Sequence, residues 1–386
     1  MKTILFVHQS AEMYGSDKVL LSLVRGMDKD AFQPVVMLPA EGPLLDALRE
    51  SNITTLVLPL VKIQRSTLSL RGILRIPGEI ARSLKAMDRS LRNIHVDIVH
   101  SNTLAVLSGA LWAKMKGLPH VWHVHEMIVH PIIVRRIFSF LVRALSSRVI
   151  CISDAVRQLL VDSEPSLHKR CTVVWNGVER QFSPDAECAA RIRLEAGVIN
   201  GSLAVVLVGR INRWKGHLLL VETAEILWKR GFRNIFYICA GSAPAGQEHF
   251  KSELAARIAD SLVRERIILM DYRQDVWPLW DASDIAVVPS IEPEPFGLVA
   301  LEAMISGKPV VAAAHGGLPE IVEDSVTGIL FEPNNPNKFA DAIADLAVNE
   351  GKRILMGEKG YERVRDIFNA QRYIGAVESL YREILR

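Results

Sequence analysis

The sequence predicts an α/β protein of two doubly wound, Rossmann-like domains. Three features of the 386 residues predict it: their number, an alternation of short apolar runs with longer amphipathic ones, and an irregular link near the middle. A chain of this length exceeds one ordinary core and suits two domains of similar size. Apolar residues make up 49% and charged residues 23%, the balance of a folded globular protein without low-complexity tracts.

The alternation is that of parallel sheets flanked by helices. In the first half, residues 4–8, 35–38, 97–101, 120–125 and 148–153 read as buried strands. Periodic segments such as Lys18–Arg25 and Leu44–Glu50 read as helices between them. After Val178 the polar, proline-containing stretch VERQFSPDAE interrupts the pattern. A second series follows at 204–209, 234–241, 266–272, 285–290 and 308–314. The closing segment, Ala370–Arg386, places Tyr373, Val377, Leu380, Tyr381 and Ile384 on one helical face. The expected division is therefore 1–178, 179–366, and a closing helix at 367–386.

A net charge of +3 is too small to imply a nucleic-acid partner. Cys151, Cys171, Cys188 and Cys239 show no Cys-x-x-Cys spacing, and Cys151 and Cys239 sit in apolar runs, so reduced thiols are expected rather than disulfides or a structural metal. The opening MKTILFVHQS is too short for a signal peptide and reads as a first strand. No run of uninterrupted apolar residues is long enough to span a bilayer. The expected location is the cytoplasm, or the cytosolic face of a membrane.

Three segments of the second half carry the chemistry. VGRINRWKG ends a strand at Gly209 and follows it with Arg210 and Lys215, where parallel sheets bind ligands. A guanidinium fork and an ammonium suit a diphosphate, although a solvated basic loop reads equally well. In SIEPEPFGLVALEAMISGKP, Pro293 and Pro295 hold the chain extended, and Gly297 opens a helix that stops before Gly307. The first amides of that helix, Phe296, Gly297, Leu298 and Val299, form an anion site. Leu298, Leu301 and Ile305 are expected to anchor it. Glu294 precedes the helix, and Glu302 lies in a nearly all-apolar stretch where a carboxylate needs hydrogen-bonding partners. In AAAHGGLPEIV, Gly316–Gly317 permits close approach of backbone to a ligand, or is simply a turn.

Together these segments resemble glycosyltransferase family four, retaining enzymes of the GT-B fold. The residues that carry the likeness are EPFGLVALE, GKPVVA and GGLPEIV, preceded by GR…KG and by ISDAVR, VVWNGVE and ICAGS. The resemblance spans nearly the whole chain, most closely from about residue 148 to 333. It implies two Rossmann-like domains facing a cleft, the first binding the acceptor and the second a nucleotide-sugar donor. Arg210 and Lys215 match the positions that bind the diphosphate. Glu302 matches the carboxylate on the ribose hydroxyls, and Glu294 the acid beside the anomeric centre. Phe296 to Val299 match the helix start that meets phosphate and sugar. Gly15, within Tyr14-Gly15-Ser16-Asp17, matches a loop that often reads Gly-Gly-x-Glu, with Tyr14 a departure. His125–Glu126 resembles a His–acid pair at a strand end facing the donor sugar, and His123 points to the same side of an ideal strand.

The mechanism so implied is attack on the face that the diphosphate leaves, with a diphosphate oxygen taking the acceptor's proton. No metal and no cofactor is expected: no segment is recognised as the Asp-x-Asp motif of the metal-dependent sugar transferases, and Arg210, Lys215 and the helix dipole can neutralise the phosphates. Lys62, Arg65, Arg71, Arg75, Arg82, Lys85, Arg89 and Arg92, and further on Arg135, Arg136, Arg143 and Arg148, lie in basic amphipathic segments. These suit an anionic bilayer and a lipid-linked acceptor, as in surface-polysaccharide assembly, or are solvated helix faces. RNA is disfavoured, as no aromatic interleaving accompanies the charge. A GT-B nucleotide-sugar epimerase and a non-catalytic nucleotide-sugar-binding subunit stand as alternatives. A nicotinamide oxidoreductase is a poor reading because no G-x-G-x-x-G follows the first strand.

Overall fold

The computed structural model describes residues 1–62, 70–180 and 182–386, with only the backbone described for 70–74. It forms two compact units, Met1–Gly177 with Ala370–Arg386, and Val178–Asn369.

The first unit runs β1 (Lys2–His8), α1 (Gly15–Gly26), β2 (Phe32–Leu38), α2 (Pro43–Glu50), β3 (Thr54–Val57), α3 (Leu70–Ser90), β4 (Ile98–Asn102), α4 (Ser108–Lys116), β5 (His120–Val124), α5 (Ile132–Leu145), β6 (Arg148–Cys151), α6 (Asp154–Ser163) and β7 (Cys171–Val173). Among the described residues the sheet order is β3-β2-β1-β4-β5-β6-β7, all parallel. Parallel strands need crossover helices, and right-handed crossovers put helices on opposite faces on the two sides of a reversal in strand order. Accordingly α1 contacts α2, while α3, α4, α5 and α6 contact one another in turn on the other face. Covered on both faces, β1, β4 and β5 are buried almost throughout, which is why they read as continuous apolar runs.

The second unit runs α7 (Ala186–Glu195), β8 (Leu203–Val208), α8 (His217–Lys229), β9 (Ile235–Ala240), α9 (His249–Ala259), β10 (Ile267–Met270), α10 (Trp277–Ala282), β11 (Ile285–Val288), α11 (Leu298–Ile305), β12 (Val310–Ala313), α12 (Leu318–Ile321), β13 (Gly328–Phe331), α13 (Pro336–Val348) and α14 (Glu350–Ile367). Its sheet order, β10-β9-β8-β11-β12-β13, repeats that of the first unit and is again all parallel. Side chains set several boundaries: Ser153, Asp185, Asn335 and Asn349 accept the first free amides of α6, α7, α13 and α14.

The last helix, α15 (Ala370–Ile384), packs on α1 of the first unit. Tyr373, Val377, Leu380 and Tyr381 are buried there. The Tyr381 hydroxyl shares a hydrogen bond with His100 Nδ1 at 2.6 Å, and its ring meets Phe32 edge-on at 5.8 Å. All four cysteines are unpaired. Among the described residues no helix is long and apolar enough to cross a membrane.

Candidate active site

Open α/β sheets bind ligands outside the carboxyl ends of their strands, where the strand order reverses. In the second unit that point lies between β8 and β11. The three segments singled out in the sequence follow β8, β11 and β12, so the topology brings them to one edge.

The loop after β8 leaves Arg210 exposed and turns Lys215 inward. Asn212 Oδ1 accepts from the amides of Trp214 and Lys215 at 3.2 and 3.1 Å, a turn that fixes the direction of the lysine. Lys215 Nζ donates to Glu294 Oε1 at 2.5 Å and sits 4.4 Å from the centroid of the Trp214 ring. Ser290 Oγ donates to the same Oε1, also at 2.5 Å. The Lys215 and Glu294 side chains are 15% and 5% exposed, so each charge depends on the other. His217, first residue of α8, is buried beside them; burial and the Lys215 cation push its pKa down to about 4, which leaves it neutral.

The loop after β12 holds this carboxylate's backbone. Gly317 N donates to Glu294 O at 2.8 Å. Gly316 has φ +61°, and a Cβ there would collide with Glu294 O and lie 2.6 Å from Glu294 N. His315 Nε2 donates to Ser290 O at 2.8 Å. Gly-Gly is therefore a clamp on Glu294. Ser290 and His315, which the sequence reading passed over, complete that clamp. Their only signal was position, just beyond β11 and β12.

Gly297 caps α11 at φ +116°, and its side is closed by Leu318 Cδ2, 2.7 Å from where a Cβ would stand. No side chain caps this helix, so the amides of Leu298 and Val299 stand at the positive end of its dipole. Phe296 and Glu302 are buried, at 2% and 9% exposure. The expected anchoring face needs correction: Ala300, Leu301, Ala303 and Met304 are buried, whereas Leu298 and Ile305 are half-buried. The cause is α14, whose Gly360 lets it approach Met304 closely and claims that side of α11.

In the first unit the equivalent reversal lies between β1 and β4. Gly15 opens α1, and Asp17 is buried in its first turn, accepting from Tyr14 N at 2.8 Å. A chain of hydrogen bonds then crosses three strand ends. His125 Nε2 donates to Asn102 Oδ1 at 3.0 Å, His8 Nδ1 lies 3.0 Å from both the side-chain nitrogen and the backbone carbonyl of Asn102, and His8 Nε2 donates to Asp17 at 2.5 Å. His8 and Asn102 were not singled out in the sequence; each ends a strand, β1 and β4, beside the reversal. Burial, with His123 and His8 nearby, lowers the pKa of His125 well below 6.5, so the ring is neutral. The His123 and His125 rings lie 4.2 Å apart, on the shared side that strand alternation expects. Glu126 is not poised beside His125 as a free acid. Its carboxylate accepts the amides of Leu104 and His125, and burial raises its pKa.

Of the basic residues in the first unit, Arg65 lies outside the described residues, as does the side chain of Arg71. Lys62 and Arg135 are half-buried rather than exposed, while Arg75, Arg82, Lys85, Arg89, Arg92, Arg136 and Arg143 are exposed.

Two Rossmann-ordered sheets, with cations, a carboxylate and a bare helix start at the switch point of the second, define the GT-B class of fold. The chain belongs to glycosyltransferase family 4. The family model for group 1 glycosyl transferases matches residues 192–363, and that for Glycosyltransferase Family 4 matches 13–182. It is 34% identical over 235 residues to a D-inositol 3-phosphate glycosyltransferase of Corynebacterium glutamicum (strain R), 58% of this chain and 53% of that protein. To the protein of that description from Geodermatophilus obscurus it is 38% identical over 247 residues, 59% of this chain and 52% of the relative. It thus spans about half the length of the curated relatives it matches. Among solved structures, Anabaena Alr3699/HepE in complex with UDP matches with a TM-score of 0.82 at 25% identity, covering 99% of this chain and 100% of that one. A glycosyltransferase from Rickettsia africae ESF-5 matches with a TM-score of 0.82 at 21% identity, covering 100% and 99%.

Proposed function

We propose that the chain transfers a sugar, with retention of anomeric configuration, from a UDP-linked donor to a glycan or lipid-linked acceptor at the cytosolic face of a membrane. The second unit binds the donor and the first the acceptor. The buried Lys215–Glu294–Ser290 cluster carries the reading: a lysine held by a carboxylate at the switch point, beside an uncapped helix start, suits a diphosphate sugar. UDP is preferred over GDP because the HepE structure contains UDP.

An ammonium has three N–H donors. With one committed to Glu294, Lys215 keeps two for the diphosphate, and Arg210 and the amides of Phe296 to Val299 add further positive charge. The protein's own groups neutralise the leaving group, and no metal or other cofactor is required. Both contacts to Glu294 fall on Oε1, so Oε2 is the oxygen that meets the sugar near its anomeric carbon. Glu302 takes the ribose hydroxyls. The acceptor oxygen bonds to that carbon as the bond to the diphosphate breaks, and the departing diphosphate oxygen takes the acceptor's proton. His125, neutral and oriented by Asn102, contributes a hydrogen bond to the sugar.

The test is a product assay by mass spectrometry, with UDP- and GDP-sugars offered alongside lipid-linked and free glycan acceptors. A glycosylated acceptor with release of UDP supports the reading. An isomerised donor sugar with no transfer would make the chain an epimerase, and nucleotide binding without turnover a binding subunit. A phosphorylated polyol acceptor is a second reading, favoured by the names of the curated relatives, and inositol 3-phosphate belongs in the same assay.

A further inference from the structure

On the face of the first sheet that carries α3, α4 and α5, an apolar ridge stands in solvent. Ile133, Ile137 and Phe140 occupy one stripe of α5 at i, i+4 and i+7 and are 64%, 50% and 52% exposed. The opposite stripe, Phe138, Ser139 and Val142, is the buried one. The helix is thus apolar on both sides, although its packing uses only one, and such a patch marks an interaction surface.

Charge surrounds the ridge. Arg136 and Arg143 flank it, with the Arg143 guanidinium 5.1 Å from the centroid of the Phe140 ring. Past its carboxyl end lies an open groove of about 610 Å³, where Lys114, Arg143, Arg148 and Arg170 converge with Ser147. On α3, in the same layer, Arg75, Arg82, Lys85 and Arg89 are exposed. The acids in this layer are Glu164 beside Arg143 at 3.3 Å, Asp88 held by Lys116 at 2.9 Å, Glu79 on α3, and Asp154 and Asp162 on α6, with Asp154 held by Arg157 at 2.7 Å. The groove lies at the amino ends of β5, β6 and β7, the edge opposite His125 and Gly15, so occupying it leaves the candidate site open.

We propose that this face docks on an anionic phospholipid bilayer. Ile133, Ile137 and Phe140 enter the boundary between headgroups and acyl chains, while Arg136, Arg143 and the groove take lipid phosphates. Aliphatic side chains flanked by cations over a broad helical layer match such a surface in both apolar and charged character. The proposal draws on the reading of a membrane-bound acceptor, yet lipid binding needs neither donor nor acceptor, so either can fail without the other.

The full chain is sedimented with vesicles of phosphatidylcholine alone and of phosphatidylcholine with phosphatidylglycerol. Binding to the second only, weakening as salt shortens the reach of charge to about 8 Å and below, is expected. Ile133→Ser/Ile137→Ser/Phe140→Ser should abolish it with an unchanged melting temperature, since the three are exposed. Arg136→Gln and Arg143→Gln should each lower partition about fivefold. No binding at low salt, or binding by the triple variant equal to that of the parent, overturns the proposal. So does release by free glycerol phosphate alone, which would make the groove a soluble-phosphate site. Equal capture of parent and triple variant by poly-glutamate would indicate an acidic protein partner instead.

Discussion

Replacing Lys215 by alanine separates two consequences of one contact. The first is structural. Glu294, 3% exposed, would keep the Ser290 hydroxyl but lose its counter-charge. Breaking a buried pair by removing one partner costs about 3–5 kcal/mol. The lysine side chain is 15% exposed and reaches some water, which discounts the cost to about 2–3 kcal/mol, at or just under that range. At about 2–4 °C per kcal/mol for a domain of this size, the melting temperature should fall by roughly 5–10 °C. In Glu294→Gln the charge is already gone, and adding Lys215→Ala should then cost much less. Thermal and urea unfolding of the parent, both single variants and the double variant, without ligand, give the coupling energy. Additivity to within about 0.5 kcal/mol would refute the ion pair. The second consequence is in binding. UDP should raise the melting temperature of the parent, and Lys215→Ala should bind it roughly ten- to a hundredfold more weakly, the loss of one charge-assisted hydrogen bond. Unchanged UDP affinity in a folded Lys215→Ala protein would refute the diphosphate assignment.

The two glutamates should fail differently in donor titrations at saturating acceptor. Glu302→Gln should raise donor KM, and Glu294→Gln should lower kcat, because its contact strengthens in the transition state; wild-type turnover in Glu294→Gln would remove it from the anomeric centre. Transfer should survive EDTA, and loss restored by Mn²⁺ or Mg²⁺ would show a metal-based site. Gly316→Ala must displace the Glu294 backbone and should lose both stability and donor affinity; a variant with parental melting temperature and UDP affinity would show that the clamp does not form. Stability should fall as pH drops from about 7 to about 5. His100, His120 and His123 are buried and His125 half-buried, all with pKa values below 6.5, so the unfolded chain takes up protons first, and stability present above that value is lost beneath it. Each contributes up to about 1.4 kcal/mol per pH unit, opposed by the raised acid Glu126; equal urea midpoints at both pH values would contradict the neutral cluster.

The doubly wound architecture was legible because strands covered on both faces read as unbroken apolar runs, as in residues 4–8 and 204–209. Edge strands were not. Thr54–Val57 and Cys171–Val173 are partly exposed and mix polar with apolar residues, so neither pattern marks them. The helix opened by Gly297 was legible from Pro293, Pro295 and the glycine, all local backbone constraints. Its buried face was misread because α14 approaches through Gly360, which stands far along the chain from Met304, a distance no local period records. The same limit hid the partners of the singled-out residues. Lys215 and Glu294 were each found separately, but their pairing across 79 residues follows from β8 lying next to β11. Asn102 hides for the same reason, an ordinary strand-terminal amide until β1, β4 and β5 are set side by side.

The return of α15 to the first unit makes the second an insert. Met1–Gly177 and Ala370–Arg386 belong to one body, and the two points where the backbone leaves and re-enters it are neighbours: Val178 N donates to Phe368 O at 2.9 Å and bridges Asn369. The second unit is thus a module with its own ends already stapled together. Its sequence can lengthen or be exchanged without rerouting the host. The host is not continuous in the same way, since its core includes Tyr381 of α15, which reaches His100. A substitution in α15 is therefore a lesion of the body built from Met1–Gly177, although the whole inserted unit separates the two in sequence.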